Sequence, residues 1–160
     1  MRRKTITTLA ATLLLLLVIP TFVPKSARAE NVDPENDGSQ YAWAENVGWI
    51  SAEQDTDGDG NPDQGIHVED FKVTGWMWGE NIGWISLPCL TTQSCGRNAY
   101  GVKNDGGGGL SGQAWGENVG WINFSCHSTE SCGNIEYGVA VNTSTGEFFG
   151  HAWGENIGWI

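Results

Sequence analysis

The stretch Trp115-Gly-Glu-Asn-Val-Gly-Trp-Ile122 decides the fold of this chain, because the sequence contains it in four copies. The other copies begin at Trp43, Trp78 and Trp153 and share the pattern Trp-[Gly/Ala]-Glu-Asn-[Val/Ile]-Gly-Trp-Ile. Their first tryptophans are 35, 37 and 38 residues apart, and eight of the nine tryptophans of the chain lie in the motif. Such a period is typical of arrays that repeat one supersecondary unit.

The unit itself is predicted to consist of three short β-strands. Apolar, β-branched or aromatic stretches at residues 65–73, 100–102 and 137–141 indicate a first strand, and turn residues follow them. A second strand leads into the motif, and a third begins at its second tryptophan. We therefore predict an all-β repeat array of about 36-residue units. Stacked β-hairpins or a solenoid with a tryptophan-rich core fit three strands, whereas a propeller blade needs about four.

The five residues between the two tryptophans predict a hairpin loop, with the tryptophans as a facing pair at its base. The loop asparagine is expected to bond its own backbone, and the glutamate to accept from exposed amides. Burial in the core is the usual fate of a large aromatic at a repeated position. The alternative is a ligand platform formed by Trp43, Trp78, Trp115 and Trp153, on which sugar rings would stack. Solvent exposure of these rings separates the two interpretations.

The first 29 residues have the organisation of a secretory signal peptide. A basic start is followed by an apolar run, and Ala27-Arg28-Ala29 matches the small-x-small cleavage pattern. Cleavage would leave three basic against 19 acidic residues, a formal charge of −16. Such a chain lacks the basic patch that nucleic-acid binding requires, and cations are its natural small partners. We expect a secreted or surface-located protein without a membrane span after cleavage, with a flexible segment at 30–40 and the repeat domain at 41–160.

Two copies of a Cys-x5-Cys sequence follow the second and third motifs. In an exported chain the pairs Cys89–Cys95 and Cys126–Cys132 are read most simply as disulfides. Three pairings are open, and zinc is the rival interpretation, although the spacing is wider than that of most zinc sites.

An aspartate-rich segment occupies the same place after the first motif. Asp55, Asp57, Asp59, Asn61 and Asp63 alternate through a tight loop that has Gly60 at its sixth position. This pattern suits Ca²⁺, which takes six to eight oxygen ligands, but position twelve is Ile66 instead of the bidentate Glu of an EF-hand. Glu53, Glu69, Asp70 or backbone carbonyls are candidates for the remaining ligands.

The segment resembles the Asp-x-Asp-x-Asp-Gly-x-x-Asp calcium loops of thrombospondin type 3 repeats. Residues 41–160 as a whole resemble repetitive secreted bacterial proteins in which Trp-Gly-Glu-Asn-Ile-Gly-Trp-Ile recurs after Tyr-Gly-Val. This second resemblance implies export and repetition only. Ile160 comes in the middle of a unit, so a fragment of a longer array, or a last strand from another chain, is expected.

The sequence contains no arrangement that indicates catalysis. His67, His127 and His151 are scattered, residues 106–109 lack the ending of a phosphate loop, and Ser111 is not in a nucleophile elbow. We predict a non-catalytic structural or adhesive surface protein stabilised by calcium, whose partners are extracellular glycans or further copies of itself. The alternatives are a carbohydrate-binding module that uses its tryptophans, and the accessory repeat region of a longer secreted enzyme.

Overall fold

The computed structural model describes residues 32–33, 38–54, 64–91 and 93–160. The predicted signal peptide and the aspartate segment at 55–63 lie outside the described residues, as does part of the predicted flexible segment, of which Val32 and Asp33 are buried. Strands dominate the described part, which confirms the all-β class. Within that part no helix is long and apolar enough to cross a membrane.

The strands follow one another in the order listed next, with one short 3-10 helix at Cys126–Thr129 between β9 and β10. They are β1 (Tyr41–Ala44), β2 (Gly48–Ser51), β3 (Glu53–Gln54), β4 (Gln64–Glu69), β5 (Lys72–Gly79), β6 (Gly83–Ser86), β7 (Val102–Asn104), β8 (Leu110–Gly116), β9 (Gly120–Asn123), β10 (Val139–Val141), β11 (Phe148–Gly150), β12 (Trp153–Gly154) and β13 (Gly158–Trp159).

Each copy of the motif forms one antiparallel hairpin, and the four hairpins join into one large sheet. The hairpins are β1–β2, β5–β6, β8–β9 and β12–β13. Neighbouring hairpins pair through β2–β5, β6–β8 and β9–β12. The fourth hairpin also lies next to the first, and the backbone N–H of Glu45 donates to the carbonyl oxygen of Trp159 at 3.1 Å. We call this closed arrangement the hairpin ring.

The motif loops contain three residues, not the five predicted. The small residues that flank Glu-Asn-x pair with each other, as Ala44 does with Gly48 and Gly116 with Gly120. The glycine that follows Glu-Asn-x has a positive φ in all four motifs, for example +78° at Gly120. A turn that ends in a left-handed glycine is a favoured three-residue hairpin connection. The prediction that the two tryptophans face each other across each hairpin is confirmed.

The motif asparagines connect neighbouring hairpins, and the prediction that they bond their own loops is wrong. Each side-chain amide donates to the backbone carbonyl of the apolar loop residue of the preceding hairpin, at 2.9–3.1 Å. The pairs are Asn81 with Val47, Asn118 with Ile82, Asn156 with Val119, and Asn46 with Ile157. The last pair is separated by 111 residues and closes the hairpin ring. One residue type thus makes the same bond at all four junctions.

Shorter strands between the motifs form a second set of hairpins. β4 pairs with β5, β7 with both β5 and β8, and β10 with β11. The predicted single strand at 65–73 is wrong, because the chain turns at Asp70 and Phe71 and places Val68 opposite Val73. Asp is a frequent turn residue, and this two-residue turn keeps both valines paired in one hairpin.

The interior of the hairpin ring is aliphatic. Ile50, Ile85 and Ile122, which follow the second tryptophan of their motifs, are at most 1% exposed, and Ala44, Ala114 and Leu87 are fully buried. All nine tryptophans lie in the described residues, and none of them is among the buried hydrophobic residues. The predicted tryptophan-rich core is therefore wrong.

The small residue that follows the first tryptophan of the motif is tightly surrounded within its own hairpin. A Cβ atom added at Gly116 would lie 2.5 Å from a methyl carbon of Val119, and one added at Gly154 would lie 2.4 Å from Ile157. Both contacts are with the apolar loop residue of the same motif. Because successive side chains of a strand point to opposite faces, an inward isoleucine also turns its neighbouring tryptophan outward.

Candidate binding surface

Four tryptophan pairs line the outer face of the hairpin ring. In each pair the rings meet edge to face, with centroids 5.1, 4.9, 4.6 and 4.8 Å apart from the first hairpin to the fourth. Trp43 and Trp49 are 55% and 58% exposed, and the first tryptophans of the other motifs, Trp78, Trp115 and Trp153, are half-buried. Edge-to-face contact holds each ring in a defined orientation while part of it faces solvent. The pairs are displayed aromatic groups and not core.

Further aromatic side chains extend these pairs. Tyr41, Trp76 and His151 stand two residues before the first tryptophan of their motifs, and each ring centroid lies 6.1–6.2 Å from that of the second tryptophan of the same hairpin. Tyr100 and Tyr137 each lie 5.3 Å, between centroids, from the second tryptophan of a later hairpin, Trp121 and Trp159. The sequence interpretation singled out only the first tryptophan of each motif. The Tyr-Gly-Val sequence after each cysteine pair was the signal for the two tyrosines.

Both predicted disulfides are present and position these tyrosines. Cys89 is bonded to Cys95, and Cys126 to Cys132, with Cα–Cα distances of 4.9 and 4.8 Å. The backbone N–H of Cys89 donates to the carbonyl of Tyr100, and that of Cys126 donates to the carbonyl of Tyr137, at 3.1 and 3.0 Å. Each disulfide loop therefore fixes the start of the segment that carries a surface tyrosine. The two loops make the same contact although their sequences between the cysteines differ.

The cysteine pairs are not zinc sites in this structure. The sulfur atoms of Cys126 and Cys132 lie close to the imidazole of His127, with all ligand atoms within 4.8 Å of one another. However, the two sulfurs are bonded to each other, and a disulfide offers no thiolate for a metal.

The strands that flank the predicted calcium segment are described, although the segment is not. Gln54 at the end of β3 is paired with Gln64 at the start of β4, so the residues on either side of the segment lie next to each other. Of the additional carboxylates considered for the metal, Glu53 lies next to the segment. Glu69 is at the other end of β4, about 16 Å from Gln64 if the strand rises about 3.3 Å per residue. Its carboxylate forms an ion pair with Lys72 at 3.2 Å. Glu53 is therefore the nearest of the three to the segment along the chain, and its side chain is buried.

Two clefts lie between hairpins on the outer face. Cleft A has a volume of about 640 Å³ and lies between the first and second hairpins. Cleft B has a volume of about 540 Å³ and lies between the fourth and first hairpins. Cleft A is lined by Tyr41, Trp49, Ser51, Gln54, Trp78 and Glu80. Cleft B is lined by Trp43, Glu45, Glu136, Tyr137, His151 and Trp159.

The clefts combine flat apolar rings with hydrogen-bond acceptors. The side chains of Glu45 and Glu80 are exposed, so their carboxylates are available to a ligand. Among the described residues that line either cleft, none is Lys or Arg. Such a lining stacks on a flat ring and accepts hydrogen bonds from hydroxyl groups, and it disfavours anions. Of the four predicted platform residues, Trp43 and Trp78 line a cleft, and Trp115 and Trp153 line neither.

Comparison of the chain with protein-family models, with curated proteins and with solved structures found no match.

Proposed function

We propose that this chain is an exported, non-catalytic adhesive protein that binds carbohydrate through the tryptophan pairs of its outer face. The observation that carries the proposal is the position of these rings. Large aromatic side chains exposed together on a protein surface are a feature of interaction sites, because exposing them to water is otherwise unfavourable. Trp49 at 58% exposure and Trp43 at 55% are the clearest examples.

The rigidity of the surface supports a role in recognition. Each ring is held by its cross-strand partner, and each hairpin is bonded to the preceding one through an asparagine side chain. Side chains that are fixed before binding lose less conformational entropy when a ligand arrives. The two disulfides support the proposed export, since such bonds persist in oxidising compartments.

The carbohydrate proposal is tested by sedimentation with insoluble neutral polysaccharides, namely cellulose and chitin, and with an acidic one, pectate. We expect the oxidised chain to sediment with a neutral polysaccharide and the variant Trp49→Ala to bind it about tenfold more weakly, since truncating an aromatic anchor typically costs more than about 1 kcal/mol. Phe71→Ala is the matched control, because Phe71 is 76% exposed but lines neither cleft. Equal binding by the wild type, Trp49→Ala and Phe71→Ala would refute a role for the tryptophans.

We further propose that residues 55–63 bind calcium and thereby stabilise the hairpin from which they extend. The pairing of Gln54 with Gln64 supports this, because a metal can order a loop whose ends are already held together. A ligand that binds only the folded state stabilises it by about 2.7 kcal/mol at a hundred times its dissociation constant.

The measurement is the thermal unfolding midpoint of the oxidised chain in millimolar calcium and then in excess chelator. We expect calcium to raise the midpoint by at least about 5 °C. The double variant Asp57→Ala/Asp59→Ala should lose this rise, whereas Glu130→Gln, a change at an exposed site distant in sequence, should retain it. A rise that persists in the double variant would place the calcium elsewhere.

A further inference from the structure

Clefts A and B are built from the same positions of the repeated motif. Each is lined by the second tryptophan of one hairpin, Trp49 or Trp159, and by the first tryptophan of the next hairpin, Trp78 or Trp43. The motif glutamate of that next hairpin, Glu80 or Glu45, completes the set. The pair of tryptophans that lines a cleft therefore comes from two hairpins and is not the cross-strand pair within one hairpin.

From this equivalence we infer that the junction of the first and second hairpins and the junction of the fourth and first hairpins are two equivalent binding sites, each for a neutral sugar ring. This inference rests on the proposed function and names its site and ligand class. In each site the two tryptophans provide the stacking surface, and the motif glutamate accepts hydrogen bonds from ring hydroxyls. The asparagine next to each glutamate bonds to the preceding hairpin. In the motif sequence Glu-Asn, the glutamate therefore contacts the ligand and the asparagine connects the two hairpins.

Charge excludes an anionic ligand. The motif glutamate lines each cleft, Glu136 adds a second carboxylate to cleft B, and the whole chain has a formal net charge of −11. A uronic acid or a sulfated sugar would be repelled, and the described lining has no basic side chain with which to pair it. A neutral sugar brings hydroxyl donors, which suit carboxylate acceptors.

Size separates a sugar from the other ligand class that aromatic rings and a carboxylate attract. A quaternary ammonium group binds among aromatic faces through cation–π contacts. Clefts of about 540 and 640 Å³ are within the range of sites for small organic ligands, about 300–1,000 Å³. Such a volume accommodates one or two sugar rings, which contact more of the lining than a trimethylammonium group can. Choline is accordingly the competing ligand in the test.

The test is a titration followed by the indole N–H signals in nitrogen-15 NMR spectra of the oxidised chain. The probes are cellotriose and chitotriose as neutral sugars, trigalacturonate as the acidic sugar, and choline. We expect a neutral sugar to shift the signals of Trp49 and Trp78 in cleft A and of Trp43 and Trp159 in cleft B. The signals of Trp84, Trp115 and Trp121, which line neither cleft, should stay in place.

Two matched variants assign the sites one at a time. Glu80→Ala should weaken binding at cleft A about tenfold, which corresponds to about 1.4 kcal/mol, and leave the shifts of Trp43 and Trp159 unchanged. Glu45→Ala should do the reverse. Both side chains are exposed, so neither change is expected to alter folding. Glu130→Ala, an exposed site outside both clefts, is the control and should change neither set of signals.

The outcomes separate this inference from the proposed function. If a neutral sugar shifts Trp84, Trp115 or Trp121 instead of the cleft tryptophans, or if neither glutamate variant weakens binding at its own cleft, the sites at these two junctions are refuted and carbohydrate binding stands. Preference for choline or for trigalacturonate would overturn the assigned ligand class. If no sugar gives saturable shifts in this titration and no polysaccharide sediments the chain, both proposals fail.

Discussion

The substitution Gly112→Ala is expected to destabilise the chain by at least about 4 kcal/mol, enough to unfold a marginally stable domain of this size. Gly112 in β8 has a φ of +93°, a conformation that L-residues rarely adopt. A Cβ atom there would lie 2.1 Å from the carbonyl oxygen of Gly101. Because the contact is with backbone, rotation of a side chain cannot relieve it, and the pairing of β7 with β8 must break.

Urea denaturation of the oxidised protein, followed by tryptophan fluorescence, measures this effect. Gly133→Ala is the control, since a Cβ atom at Gly133 would have no neighbour within 4 Å and its φ is not in the left-handed region. We expect that variant to unfold within about 0.5 kcal/mol of the wild type. A Gly112→Ala protein as stable as the control would show that β7 and β8 do not approach as closely as described.

The second large effect is expected from Ile85→Ala. Ile85 in β6 is fully buried in the hairpin ring, and its side chain would lie 3.5 Å from a Cβ atom added at Gly116. Removing it should cost about 3–4 kcal/mol, because the transfer free energy of the lost carbons and the cavity that remains both count against folding.

Trp49→Ala is the informative comparison, since tryptophan is much the larger side chain. Trp49 is 58% exposed and is held mainly by its edge-to-face contact with Trp43, so its loss should cost less than about 1.5 kcal/mol. The ratio of the two effects is read from denaturation midpoints measured with an unchanged slope. If Trp49→Ala proves more destabilising than Ile85→Ala, the tryptophans contribute core packing and the description of the outer face is wrong.

Local features of the chain were predictable because short-range chemistry determines them. The hairpin at each motif follows from turn residues between strand-forming residues, and the facing tryptophans follow from their symmetric positions about the loop. The disulfide pairing Cys89–Cys95 and Cys126–Cys132 follows in the same way, since the simplest partners were the nearest in sequence. The loop length was wrong by two residues because a Gly–Gly or Ala–Gly pair can still belong to the hairpin.

The candidate site was predictable only in part. The sequence pattern points to the first tryptophan of each motif as an alternative ligand platform, but it does not indicate that the second tryptophans and the tyrosines share the same surface. Cleft A joins residues of two hairpins, and cleft B joins Trp159 to Trp43, residues at opposite ends of the described chain. Spacing within one motif carries no information on which hairpins become neighbours in this way.

The sequence by itself determined the all-β class, the four hairpins, their cross-strand tryptophan pairs and the two local disulfides. Tertiary structure alone decided which face of the hairpins lies inside and which residues meet at the junctions. The physical reason is that alternation along a strand places tryptophan and isoleucine on opposite faces but does not determine which face lies inside. Which face lies inside follows from the closure of the hairpin ring, in which Asn46 bonds to Ile157, 111 residues apart. In the closed ring isoleucine and alanine lie inside, and the tryptophans are half-buried or exposed.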